Sequence, residues 1–107
     1  MKIAVYNRYW RTGGGAETYG AAVAQVLARH PEHTVDLLGP DDVDLTRLAE
    51  RLRLDLAGIG MVVLRDRPGA VLRASKGYDL FINVSFMSDD DAGAPHNLYI
   101  THFPARS

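Results

Sequence analysis

The chain has 107 residues, enough to bury one hydrophobic core and too few for two domains, so residues 1–107 read as a single unit. Its 12 basic and 13 acidic residues give a formal charge of -1, which leaves no basic footprint for nucleic acid or for an anionic membrane surface. The absence of cysteine excludes disulfides, zinc-thiolate sites and thiol nucleophiles, and fits a reducing, cytoplasmic setting.

The first element is "KIAVY" (residues 2–6), a short apolar run of strand formers that ends in the polar pair Asn7-Arg8. Three consecutive glycines, Gly13, Gly14 and Gly15, separate it from a helical stretch over residues 16–30. There Tyr19, Val23, Val26 and Leu27 recur at helical spacing, Glu17, Gln25 and Arg29 fall mostly elsewhere on the wheel, and Gly20 with the many alanines permits close packing on a sheet. Pro31 ends that helix. Residues 33–39 ("HTVDLLG") form the second strand before the breaker "GPDD". A second helix is predicted over residues 44–54, with Leu45, Leu48 and Leu52 on one face and Asp44 as its cap. Residues 59–64 give a third strand and the longest apolar run, far too short to span a bilayer. A short helix follows at 68–77, with Pro68 near its first turn and Gly77 at its end; strands follow at 79–85 and 97–103, separated by the polar loop "FMSDDDAGAPH".

Strands alternating with helices imply an α/β fold: a Rossmann-like parallel sheet of about five strands in the order 3-2-1-4-5, with helices on both faces. In such a sheet, ligands bind outside the carboxyl ends of the strands, where the winding reverses beside strand one. The glycines lie on that rim. Unpaired N–H groups and the helix dipole favour an anion there, and glycine removes the side chains that would hold it away. The competing reading is a tight turn that needs positive φ and binds nothing. Two common phosphate motifs fail. Counting G-x-G-x-x-G from Gly13 puts Thr18 in the last position, and Asp36 lies inside strand two where an acid at the strand end is wanted. A P-loop requires Gly-Lys-Ser/Thr, and "GAET" stands there.

The pieces "MKIAVYN", "GGGAETY", "LARHPEHTVDLLGP", "GYDLFINVS" and "YITHFP" come in an order and spacing that resembles the N-terminal domain of the GT-B glycosyltransferases, retaining enzymes that use nucleotide-sugar donors. The resemblance runs over nearly the whole chain. It implies that the segment Gly13, Gly14, Gly15 and Ala16 lines a cleft beside the donor's diphosphate and the acceptor, and that His102 faces the transferred sugar. It further implies a carbohydrate, lipid or small-molecule acceptor, no metal and no cofactor, and a cytoplasmic enzyme that can sit at a membrane periphery. Members of that family carry a second domain with most nucleotide contacts and a pair of glutamates, so the chain reads as the first, truncated part of such an enzyme. Apolar surface left open beyond strand five would then favour self-association.

Glu17 in the first helical turn has two readings: a carboxylate favoured by the dipole, or a contact to a ligand hydroxyl. His30 and His33 straddle Pro31 and read as solvated, not as a metal pair. Asp89, Asp90 and Asp91 suggest the Asp-x-Asp metal site of the other architecture, GT-A, but stand in a loop well past strand four and read as a solvated acidic turn. Trp10, flanked by Arg8, Tyr9 and Arg11, either grips a ligand on the rim or anchors the core. The alternative function is a non-catalytic, flavodoxin-like module for a phosphorylated ligand or a partner protein. Its phospho-receiver version lacks the acidic pair, because Asn7-Arg8 ends strand one.

Overall fold

The computed structural model describes residues 1–7, 10, 15–40, 42–64, 69–84 and 93–99. Its elements in chain order are β1 (Lys2–Tyr6), α1 (Gly15–Ala28), β2 (Thr34–Gly39), α2 (Leu45–Leu52), β3 (Gly60–Val63), α3 (Ala70–Ser75), β4 (Leu80–Asn83) and β5 (His96–Tyr99). The strands form one parallel sheet in the order β3-β2-β1-β4-β5, the order the alternation of strands and helices predicts. The register is continuous across the centre: Val5 of β1 stands opposite Leu37 of β2 and Ile82 of β4.

The period of two along each strand divides the core into two layers. Ile3, Val5, Val35, Leu37 and Ile82 pack with Ala21 and Ala24 of α1 and Leu48 of α2. On the other face, Ala4, Tyr6, Leu38 and Phe81 pack with Val71 and Ala74 of α3. Helices α1 and α2 therefore cover one face and α3 the other, which is what right-handed crossovers demand when the chain winds outward to β3 and then returns to the far side of β1. The winding reverses between β1 and β4.

Helix α1 is rotated relative to the expectation from its large apolar residues. Val26 is 60% exposed and Tyr19 40%, whereas Ala21 and Ala24 are buried and Glu17 is 1% exposed. Small residues win the inner face because they let the helix axis approach the sheet, and the aliphatic stripe is displaced to its flank and outer side. Helix α2 is capped as predicted: Asp44 Oδ1 accepts from the N–H groups of Thr46 (2.9 Å) and Arg47 (3.3 Å). It stops short of Leu54 because Arg53 adopts a left-handed conformation (φ 57°), and its N–H returns to the carbonyls of Ala49 and Glu50. Helix α3 spans six residues and is shorter than the predicted 68–77. Gly69, in the left-handed region at φ 79°, precedes it, and its last turn closes through Gly77 N–H to the Ala74 carbonyl at 3.2 Å. Strand β5 starts at His96, one residue ahead of the apolar run, because His96 aligns with Leu80 and its N–H donates to the Asp79 carbonyl at 3.3 Å.

The amino edge is tied across its centre. Lys2 N–H donates to Asp79 Oδ2 and Asp79 N–H to the Lys2 carbonyl, both at 2.7 Å. Asp36, inside β2, accepts the phenol proton of Tyr78 at 2.7 Å, and the Lys2 ammonium stands 5.0 Å from the centre of that ring. Burial, and then the hydrogen bond and charge of Asp36, hold the Tyr78 hydroxyl well above its ordinary range. A phenol that titrates near pH 10 in the unfolded chain and higher in the fold leaves the folded state holding more protons above that pH. The stability it contributes is fully present below pH ~10 and is lost as pH rises toward the folded value. Urea unfolding should accordingly show a midpoint that declines above pH ~10, and Tyr78→Phe should remove this component while costing about 1–3 kcal/mol at neutral pH through the stranded Asp36 acceptor. A midpoint equally pH-dependent in the variant would show that other groups are responsible.

Candidate functional site at the carboxyl ends of β1 and β4

Strands β1 and β4 end side by side in asparagine. Asn7 follows β1 and is fully buried, and its N–H extends the β1–β2 ladder to the Leu38 carbonyl at 3.0 Å. Asn83 closes β4 opposite Tyr6 and is 2% exposed; the next N–H, of Val84, donates to the Tyr6 carbonyl at 3.0 Å. Two amide side chains thus occupy the point where the sheet reverses its winding, the position at which open α/β sheets receive ligands.

Trp10 fixes the chain on leaving this edge. Its ring is 1% exposed, and the indole N–H donates to the Leu38 carbonyl at 2.8 Å. The ring fills space that two glycines leave open. A Cβ on Gly39 would lie 2.6 Å from both the Trp10 ring and the Asn7 carbonyl oxygen, and a Cβ on Gly20 would lie 2.9 Å from the ring and from Val84. Of the two readings the sequence leaves for Trp10, core anchoring is the one observed.

Helix α1 begins at Gly15, so its first-turn amides, from Gly15 to Glu17, have no acceptor within the helix. Glu17 lies in this turn. Its side chain is turned inward and has no exposed surface, and Arg51 Nη2 of α2 stands 2.9 Å from Oε2. The pair is a charge contact: neither carboxylate oxygen receives an aligned hydrogen bond among the described residues. Arg51 is about half exposed, so the positive partner keeps its hydration while the negative one is sealed.

Among the site residues expected from sequence, Gly15 and Ala16 open α1 and Glu17 is buried against Arg51. Gly13, Gly14 and His102 lie outside the described residues, as do Arg8, Tyr9, Arg11 and the Asp89, Asp90 and Asp91 run. The rings of His30 and His33 do meet, stacking with centroids 4.5 Å apart, but no group of three metal-ligating side chains occurs among the described residues. Sequence reasoning passed over Asn7 and Asn83 as site residues, although a polar residue closing an apolar strand run was the available signal in "KIAVYN" and "DLFIN". Arg51 carried no signal, because its role depends on α2 lying beside α1.

No described helix is long and apolar enough to cross a membrane. Comparison with protein-family models, with curated proteins and with solved structures returned no match.

The Trp10 anchor is directly measurable, since the chain has one tryptophan. Its fluorescence should resist quenching by iodide in the folded protein and become quenchable in urea; ready quenching under native conditions would contradict the buried placement. Gly39→Ala should lower stability by about 1–3 kcal/mol, because one of the two contacts it meets is backbone and cannot rotate away.

Proposed function

We infer that this chain is the acceptor-side, N-terminal Rossmann-like domain of a GT-B glycosyltransferase, which moves a sugar from a nucleotide-diphosphate donor to a carbohydrate, lipid or small-molecule acceptor with retention. One observation carries the reading: the five-stranded parallel order brings the end of β1 and the start of α1, the two anchors of the glycine segment, to the point of winding reversal. An anion bound there meets first-turn N–H groups without bulky side chains in front of them. In transfer, charge develops on the leaving diphosphate. Oriented backbone donors that need no reorganisation stabilise such charge best in a cleft closed to water.

The division of labour follows from what the chain contains. Gly13, Gly14, Gly15 and Ala16 supply the approach to the diphosphate, and His102 offers an imidazole to the sugar. A second domain supplies the base and ribose contacts and completes the reaction, without metal or cofactor. On this reading the protein acts in the cytoplasm, at a membrane surface when the acceptor is a lipid.

The test is a pair of substitutions in the enzyme that joins this chain to its nucleotide-binding domain. Gly14→Val or Gly15→Val should reduce transfer by roughly ten- to several-thousand-fold, the loss of one or two charge-assisted hydrogen bonds, with the fold retained. A large fall in melting temperature with unchanged turnover per folded molecule would instead make the glycines a turn device. Absence of any nucleotide-binding partner domain would leave the non-catalytic binding module as the better description.

A further inference from the structure

Helices α1 and α2 cover the same face of the sheet, so their outer sides share one surface. On α1, Val26 stands two residues beyond the buried Ala24, which turns it to the far side of the helix; it is the most exposed large apolar side chain among the described residues. On α2, Thr46 and Glu50 flank the buried Leu48 at the same interval and are exposed for the same reason. Beside them lies an open groove of about 330 Å³, with Leu45, Ala49, Leu54 and Leu56 as apolar walls and Glu50 and Asp55 as acids; no basic side chain lines it. The groove is shaped in advance by hydrogen bonds: Leu54 N–H donates to the Ala49 carbonyl at 2.9 Å, Ala57 N–H to Asp55 Oδ1 at 3.0 Å and Asp55 N–H to Gln25 Oε1 of α1 at 2.6 Å.

The charges on this surface are unbalanced within one molecule. Glu50 and Asp55 form no ion pair among the described residues, although Arg47 and Arg53 stand three residues to either side of Glu50. Arg29, exposed just past the end of α1, forms none either. It follows Gln25 by one helical turn, and Gln25 is the residue bonded to the groove at Asp55, so the knob of Val26 and Arg29 lies beside the groove. A knob next to a groove of matching polarity and opposite charge is self-complementary about a two-fold axis. The volume is at the lower limit for small-ligand sites, about 300 Å³, and the groove is open, so it suits side chains of a protein better than a whole ligand.

We propose that this face is the contact surface of a two-fold homodimer: Val26 and the alkyl stem of Arg29 from each copy enter the other copy's groove, and the Arg29 guanidinium meets Glu50 there. The proposal is independent of the transfer reading, since it uses neither the glycine segment nor the carboxyl edge of the sheet. One knob and one groove per copy fall short of the ~800 Å² per partner of a stable pair, so the dimer is reversible and dissociates on the order of 0.1 mM.

The test is sedimentation equilibrium of the 107-residue chain from about 10 μM to 1 mM at low salt, with circular dichroism as the check of folding. The parent should show a monomer–dimer equilibrium that weakens as salt is added. Val26→Asp should weaken it by about tenfold or more, because each contact occurs twice in the dimer. Arg29→Glu and Glu50→Arg should each weaken it by about tenfold, and the double variant Arg29→Glu/Glu50→Arg should return to within about threefold of the parent. All three side chains are exposed in the monomer, so these variants should keep the fold. Arg73→Glu, a charge reversal on α3 at the opposite face of the sheet, should leave association within about threefold of the parent. A parent that stays monomeric at 1 mM overturns the proposal. So does a dimer that Val26→Asp leaves intact, which would place the contact elsewhere, and so does a folded double variant no stronger than either single charge reversal.

Discussion

The carboxyl edge of this sheet depends on one indole. Trp10 leaves the end of β1, turns its N–H to the Leu38 carbonyl and sits where Gly20 of α1, Gly39 of β2 and Val84 beyond β4 converge. Three elements that are remote in sequence are held at a common distance by the thickness of one ring. The buried Leu38 carbonyl already accepts the Asn7 N–H, and the indole N–H takes its second lone pair without admitting water. The glycines are the complement of this choice: a methyl group at either position would meet the ring below 3.0 Å. Close packing then does the rest, because interiors at crystalline density transmit a displacement at one wall to the others.

The same edge shows how a small domain divides polar work. Along the sheet interior, the strands bury aliphatic residues; at the carboxyl ends they close with Asn7 and Asn83, both nearly inaccessible. At the amino ends, the polar contacts are reciprocal and partly wet, with Lys2 and Asp79 exchanging two hydrogen bonds and Tyr78 meeting Asp36. One edge is stapled by the protein's own groups. The other carries the buried amides of Asn7 and Asn83, and α1, the helix that follows β1, holds a sealed carboxylate in its first turn.

How much of this was legible in the sequence varies with the distance over which the determining interaction acts. Strand identity and sheet order follow from local apolar runs and from the handedness of crossovers, and both were readable; so was the Asp44 cap, which is a contact two and three residues long. The inner face of α1 was not readable from its bulkiest residues. The sheet approaches so closely that Ala21 and Ala24 take the contact while Val26 stays in solvent, and that preference is set by the neighbouring layer. Glu17 was visible as a first-turn acid, but its burial depends on Arg51, 34 positions away on another helix. The role of Trp10 was open for the same reason: its acceptor, Leu38, belongs to a different strand. Of the glycine run, Gly13 and Gly14 lie outside the described residues, and the observed part is that α1 opens at Gly15, as its conformational licence at a strand-to-helix turn suggested. The ligand chemistry rests on the family resemblance and has no comparable local determinant.

The placement of β4 beside β1 has a consequence for how the molecule assembles. The segment from β1 to β3 can form in sequence, each strand docking on its predecessor through a short crossover. Strand β4 must then skip two strands and pair with β1, closing a loop of more than seventy residues, as between Ile3 and Leu80. Loop closure over that span costs entropy before any contact repays it, so this pairing is the natural candidate for the slow step. Until it happens, the central strand carries an open hydrogen-bonding edge flanked by Val5 and Ile3, the most buried surface of the finished fold. A chain emerging from the ribosome exposes that edge for as long as β4 is still being made, and in that interval β1 is the segment most open to pairing with the wrong strand.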